Sequence, residues 1–202
     1  METVIVNNPA IDYFLAKFRD ERSGTYECNF CFETISIFLA GEVSKHLSTE
    51  DISVKTPLGR KTCPVINEEV VLIPVLRAGV SMLSGFQRVL PNSRTAFVWA
   101  HRNKEAVAEL DKCKFPSDME NKTAIILDTM LATGGTVNLV SDLLRPYKPK
   151  QILCASILAI PSGVANLSDD INTVFAAGIT DKLDDNLYVY PGVGDSGDRL
   201  YG

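Results

Sequence analysis

The chain changes character near Glu69. Beyond it, short runs of almost uninterrupted apolar residues recur at 70–75, 95–100, 123–127, 151–160 and 173–179, separated by loops and amphipathic stretches. Runs that are apolar throughout, rather than at every second position, read as strands covered on both faces. A mostly parallel, twisted α/β sheet flanked by helices is therefore expected. Before Glu69 the pattern has the helical period. Asn8-Pro9 offers a polar cap with proline in the first turn, and Ile11, Phe14, Leu15 and Phe18 form an apolar stripe behind it. A second helix is expected over roughly residues 27–47, after which Gly59 and Pro64 break up a short region of hairpin or loop character. The expected organisation is a single domain over 1–202, with a helical and hairpin part at 1–68, a core at 69–180 and a tail at 181–202.

Composition narrows the class. With 202 residues, 46% hydrophobic and 22% charged, the chain can bury a substantial core. No run is long enough to span a bilayer, and the N-terminus lacks a basic-then-apolar signal region, so neither a membrane nor a secretory route is expected. A net charge of −5 argues against nucleic acid as the main ligand. The odd cysteine count of five and the apolar surroundings of most of them suit a reducing cytoplasm. Cys28-Asn-Phe-Cys31 has no second ligand pair to make a zinc site, and its spacing places both thiols on one helix face, which suits core packing.

Candidate chemistry concentrates at the ends of the apolar runs. The run 123–127 ends at Asp128 and leads through a loop of small and hydroxyl residues into an amphipathic segment, 137–147. A strand that opens a helix through such a loop makes an anion site, because unpaired backbone N–H groups and the helix dipole point at one spot. Gly134 and Gly135 let the backbone approach a phosphate, and Thr133 and Thr136 add hydroxyl donors. Asp128 would repel that phosphate, so it fits sugar hydroxyls or a bound cation. Arg77, after the run 70–75, suits a pyrophosphate, although a surface arginine at a strand end reads the same way. Gly192-Val-Gly-Asp-Ser-Gly197 matches a dinucleotide-binding pattern formally, but no helix-forming stretch is expected after it.

Three ordered segments carry a family resemblance. They are Asp128-Thr-Met-Leu-Ala-Thr-Gly-Gly-Thr136, Val75-Leu-Arg-Ala-Gly-Val-Ser-Met82 and the tail Tyr190-Pro-Gly-Val-Gly-Asp-Ser-Gly-Asp-Arg-Leu-Tyr-Gly202. Together they resemble the type I phosphoribosyltransferases, and particularly the uracil phosphoribosyltransferase branch, from about residue 70 to the end. The first seventy residues match only loosely. The resemblance implies a reaction of uracil with phosphoribosyl pyrophosphate (PRPP) and Mg²⁺, giving UMP and pyrophosphate. It implies that Thr129, Met130, Leu131, Ala132, Thr133, Gly134, Gly135 and Thr136 hold the 5′-phosphate, and that Asp128 holds the ribose hydroxyls. Arg77 and Arg102 would bind pyrophosphate, with Arg102 on a mobile flap opening the polar segment 101–122. Val189, Gly194 and Ser196 would meet uracil through their main chain, with Asp195 at the ribosyl part. A homodimer or homotetramer in the cytoplasm is the family expectation, with GTP activation left open. Thr129 departs from the proline usual there in the uracil branch, and the N-terminal part lacks the family's arginine-containing pattern. A phosphoribosyltransferase for another base and an RNA-binding pyrimidine-regulatory relative remain alternatives. His101, with no partner identifiable in the sequence, reads as structural or exposed.

Overall fold

The computed structural model describes residues 1–103, 107–183 and 189–202, and of Arg102 the backbone only. The chain opens with a strand that the sequence reading missed, β1 (Glu2–Ile5), followed by α1 (Pro9–Arg19). Asn8 caps α1 by accepting from the Ala10 N–H at 2.9 Å, and Ile11, Leu15 and Phe18 are buried, as the apolar stripe implied. Helix α2 (Thr25–Ser44) begins two residues before the expected start and stops before Leu47. Its buried positions, including Cys28, Cys31, Phe32, Ile35 and Leu39, repeat every three or four residues. Both thiols thus lie in the core, where burial pushes their pKa values up.

Strands β2 (Thr49–Thr56) and β3 (Gly59–Ile66) form an antiparallel hairpin, with Pro64 paired inside it opposite Asp51. The core then unfolds as β4 (Val70–Leu76), α3 (Val80–Val89), β5 (Arg94–Thr95), β6 (Phe97–Arg102), β7 (Ala108–Lys114) and β8 (Thr123–Leu127). It continues with β9 (Met130–Leu131), α4 (Gly135–Leu144), β10 (Gln151–Ala159), α5 (Pro161–Ala165) and β11 (Ile171–Ile179). The tail adds the short pair β12 (Lys182–Leu183) and β13 (Val189–Tyr190), then α6 (Ser196–Tyr201).

Among the described residues the main sheet runs β1-β11-β10-β8-β4-β6-β7, with β5 beside β4 and β9 beside β10. Every pairing in it is parallel except β6 with β7. Alternate residues of one strand enter different cores. Leu72, Ile125, Leu153 and Phe175 pack with α1, α2 and α3 on one face. Val71, Ile73, Ile126, Cys154 and Val174 pack with Val137, Val140 and Leu144 of α4 on the other. Burial on both sides explains the unbroken hydrophobicity, since each such side chain contributes about 1.5–3 kcal/mol when removed from water.

Two expectations need correction. The segment 101–122 is not a loop throughout, because Ala108–Lys114 pairs antiparallel with β6 as the sheet's edge strand. Its mixed charged sequence, Ala-Glu-Leu-Asp-Lys-Cys-Lys, belongs to an exposed edge and carries no continuous apolar signal. The tail also has the helix that was not expected, α6, six residues long and capped by Asp195.

At the opposite end of the sheet from the strand carboxyl termini, Glu68 accepts from Lys150 at 2.8 Å, from the Ser48 N–H at 2.7 Å and from the Thr123 hydroxyl. Burial alone would push its carboxyl up, but these hydrogen bonds outweigh that and hold it at about 2, below its ordinary 4.5. Because the folded-state value is the lower one, the stabilisation is complete above about pH 4.5 and fades as the pH falls toward 2. Urea titrations at pH 7 and pH 3 should therefore give a smaller difference in unfolding free energy for Glu68→Gln than for the parent. An equal difference would contradict this assignment.

Candidate active site

The parallel strands β4 and β8 end side by side, Val70–Pro74 pairing with Thr123–Leu127, so the loops that follow them emerge at one edge. After β4 the Leu76–Arg77 peptide is cis. The chain then folds back on itself, with the Gly79 N–H donating to Val75 O at 2.9 Å. A Cβ on Gly79 would lie 2.6 Å from Val75 O and closer still to Leu127 O. Only glycine lets the Arg77 loop tuck beneath the end of β8, and this is a packing requirement, since its φ of −58° is ordinary.

After β8, the Asp128 N–H donates to Ala155 O at 3.1 Å, and Met130 and Leu131 pair with Leu158 and Ala159 of β10. The buried Ser156 hydroxyl accepts from the Leu131 N–H at 3.2 Å and donates to Leu158 O at 2.8 Å. Ser156 thus braces this loop from below; it looked like one more position in an apolar run, and no sequence signal set it apart. Gly134 adopts φ +83° at the N-terminus of α4, a conformation that favours glycine.

The tail is brought to the same edge by two arginines. The Arg199 guanidinium donates to the carbonyls of Phe18, of Asp20 at 2.7 Å and of Val193 at 3.1 Å, and lies 4.7 Å from the Phe18 ring centroid. Arg19 donates to Pro191 O at 2.5 Å and to the Thr180 hydroxyl at 3.2 Å. Asn29 adds a bond from its amide to Leu200 O at 2.9 Å. Asp195 accepts from the Asp198 N–H at 3.0 Å, and the hydroxyls of Thr129 and Ser196 lie 3.3 Å apart. Thr129, the departure from proline, is therefore a contact between the loop and the tail.

These segments enclose a cleft of about 430 Å³. Arg77, Asp128, Thr129, Met130 and Thr136 line it from the sheet side, and Asp195 and Ser196 from the tail. Leu131 and Ala132 are buried. Thr133, Gly134 and Gly135 make the turn into α4, where the Gly135 N–H lies 3.4 Å from the Thr133 hydroxyl. Val189 and Gly194 line a neighbouring cleft of about 670 Å³, with Arg19 and Arg199, and Asp195 borders both. Arg77 pairs with Asp198 at 2.8 Å, in competition with any anion that enters. Arg102 closes β6 in backbone, and its side chain lies outside the described residues. Trp99 and His101, neither given a site role from the sequence, also line the first cleft. His101 does have partners, because the β7 hairpin brings Asp111 to 2.9 Å and Glu109 to 3.7 Å.

The fold and the site edge define a type I phosphoribosyltransferase architecture. A solved purine phosphoribosyltransferase from Pyrococcus horikoshii shares it at a TM-score of 0.54 and 16% identity, over 76% of this chain and 85% of that one. A protein from Aquifex aeolicus is far more similar, with a TM-score of 0.93 and 29% identity over 98% of this chain and 97% of that one. A family profile described as uracil phosphoribosyltransferase matches residues 5–202. A uracil phosphoribosyltransferase of Desulfitobacterium hafniense is 36% identical, over 98% of this chain and 97% of its own. That of Clostridium beijerinckii is 31% identical, over 100% of this chain and 98% of its own. The chain belongs to the uracil phosphoribosyltransferase family. The match includes the N-terminal part that the sequence motifs reached only loosely.

Gly79→Ala should destabilise the fold by about 1–3 kcal/mol through the forced backbone shift and disorganise the Arg77 loop. Urea midpoints together with turnover will check this; parental values for both would contradict the close approach.

Proposed function

We propose that the protein transfers the phosphoribosyl group of PRPP to N1 of uracil, releasing pyrophosphate and forming UMP. The observation that carries this reading is the meeting of the Arg77 loop, the Asp128–Thr136 loop and the Asp195–Ser196 tail around one cleft. Breaking the C1′–O bond leaves positive charge on the sugar and negative charge on pyrophosphate. Catalysis then consists mostly of positioning and electrostatic stabilisation.

In this reading the loop from Thr129 to Thr136 holds the 5′-phosphate at the N-terminus of α4. Asp128 accepts from the ribose hydroxyls. Arg77 leaves Asp198 to bind pyrophosphate, and Arg102 is its second ligand. Uracil lies against the main chain of Val189, Gly194 and Ser196, and Asp195, bordering both clefts, faces the ribosyl group. Mg²⁺ arrives with PRPP and offsets charge on the pyrophosphate. We take the enzyme to be cytoplasmic, and no helix among the described residues is long and apolar enough to cross a membrane. A dimer or tetramer fits the exposure of Tyr26, Phe30 and Leu58.

A charge-assisted hydrogen bond is worth about 1.5–3 kcal/mol, so Arg77→Ala should lower kcat/KM for PRPP roughly 10- to 100-fold. The decisive assay supplies Mg²⁺ and PRPP with uracil, cytosine, hypoxanthine, guanine, adenine or orotate in turn. UMP from uracil alone is the expected result. Turnover of a different base would overturn the role given to the tail, and none at all would overturn the enzyme reading.

A further inference from the structure

The register of β4 against β6, Val75 opposite Val98 and Leu76 opposite Trp99, carries the end of β6 past the end of β4. His101 therefore stands beside the Arg77 loop, on the lining of the same cleft. Strand β7 returns next to it and supplies two carboxylates. Asp111 Oδ2 is 2.9 Å from His101 Nδ1, and Glu109 Oε2 is 3.7 Å from Nε2. Asn103 holds Glu109 through a 2.7 Å bond to its other oxygen.

Two carboxylates reach this imidazole, and other charged groups share the lining of its cleft. Strand β7 contributes Asp111 and Glu109, and the loop after β4 contributes Arg77, itself paired with Asp198. Across the cleft stand Asp128 and Asp195. On its own strand the next residue is Arg102. Hydrogen bonding to Asp111 fixes an N–H on Nδ1. A neutral ring would then turn the Nε2 lone pair toward the Glu109 carboxylate, whereas the imidazolium presents N–H groups to both acids. At 3.7 Å Glu109 is a charge neighbour but too distant for a hydrogen bond, which leaves the Nε2–H for a ligand. A pyrophosphate entering this cleft, which Arg77 also lines, gains from each further charged donor on the lining.

We propose that His101, as the imidazolium oriented by Asp111, is a ligand of the PRPP pyrophosphate. This rests on the phosphoribosyl-transfer reading for its substrate. Pyrophosphate affinity then depends on a positive charge at position 101, on the lining of the cleft.

The test is calorimetric titration of the parent and of H101Q, H101R and D111N with Mg²⁺-pyrophosphate at one fixed, mildly acidic pH, alongside KM and kcat for PRPP with uracil. H101Q should bind about tenfold more weakly than the parent, a loss consistent with one charge-assisted bond. Its KM for PRPP should rise in parallel, with kcat changing less. H101R should keep the parent's binding, because it restores a charged donor at that position. D111N should bind more weakly than the parent, because the imidazole loses the carboxylate that orients it. The imidazole is half-exposed, so these variants are expected to fold, which thermal unfolding will verify. Equal affinity in the parent and H101Q, or a loss in H101R as large as that in H101Q, would overturn the proposal. Absence of UMP formation by the parent would instead overturn the proposed function, while the pyrophosphate titration still decides the role of His101.

Discussion

Everything at the cleft depends on the parallel ladder that joins β4, β8 and β10. Parallel pairing makes neighbouring strands finish at the same edge, so loops more than fifty residues apart in sequence, at Arg77 and Asp128, emerge as neighbours. The ladder also fixes heights. Residues Val70–Pro74 match Thr123–Leu127 one for one, and the Gly79 turn fits directly beneath Leu127 O. A bulky residue at that turn would separate the two loops that we propose bind the anionic groups, without touching a ligand. The same alignment leaves both faces of the sheet covered, and the alternate burial of each strand supplies the stability that lets the loops be polar.

The tail is a different construction. It shares no long strand with the sheet among the described residues, and its own strands are two residues each. Its position is set by polar fastening, chiefly the guanidinium of Arg199 among the carbonyls of Phe18, Asp20 and Val193 and that of Arg19 on Pro191 O. These are bonds from a charged donor to backbone acceptors between segments about 170–180 residues apart in sequence. They bring Ser196 to Thr129 and Asp195 to the lining of the cleft. One wall of the site is thus packed and the other is tethered.

That difference also explains what was legible from sequence alone. The sheet strands beyond Glu69 were readable because double-sided burial leaves a continuous apolar record. The loops that line the cleft stood out because glycines and hydroxyl residues sit directly after those strands. β1 and β7 were missed, since a four-residue strand and an exposed edge strand carry too little apolar pattern to stand out. α6 was missed because its local sequence is rich in glycine, and beyond its local Asp195 cap it is held by Arg199 across the fold. Ser156, Trp99 and His101 gave no local signal at all, since their surroundings are created by pairing with β8, β9, β4 and β7. A histidine acquires Asp111 and Glu109 as neighbours only after the hairpin forms.

The sheet-borne and tail-borne walls line one cleft but are held by separate forces. The most direct measurement is the pair of steady-state KM values for uracil and PRPP in Arg199→Ala, with circular dichroism to confirm that the sheet is intact. Untethering the tail should raise the KM for uracil about tenfold or more, as expected for loss of a charged anchor, and change the KM for PRPP much less. Equal rises in both constants, or a rise in PRPP alone, would contradict the division of the site into a packed wall and a tethered one.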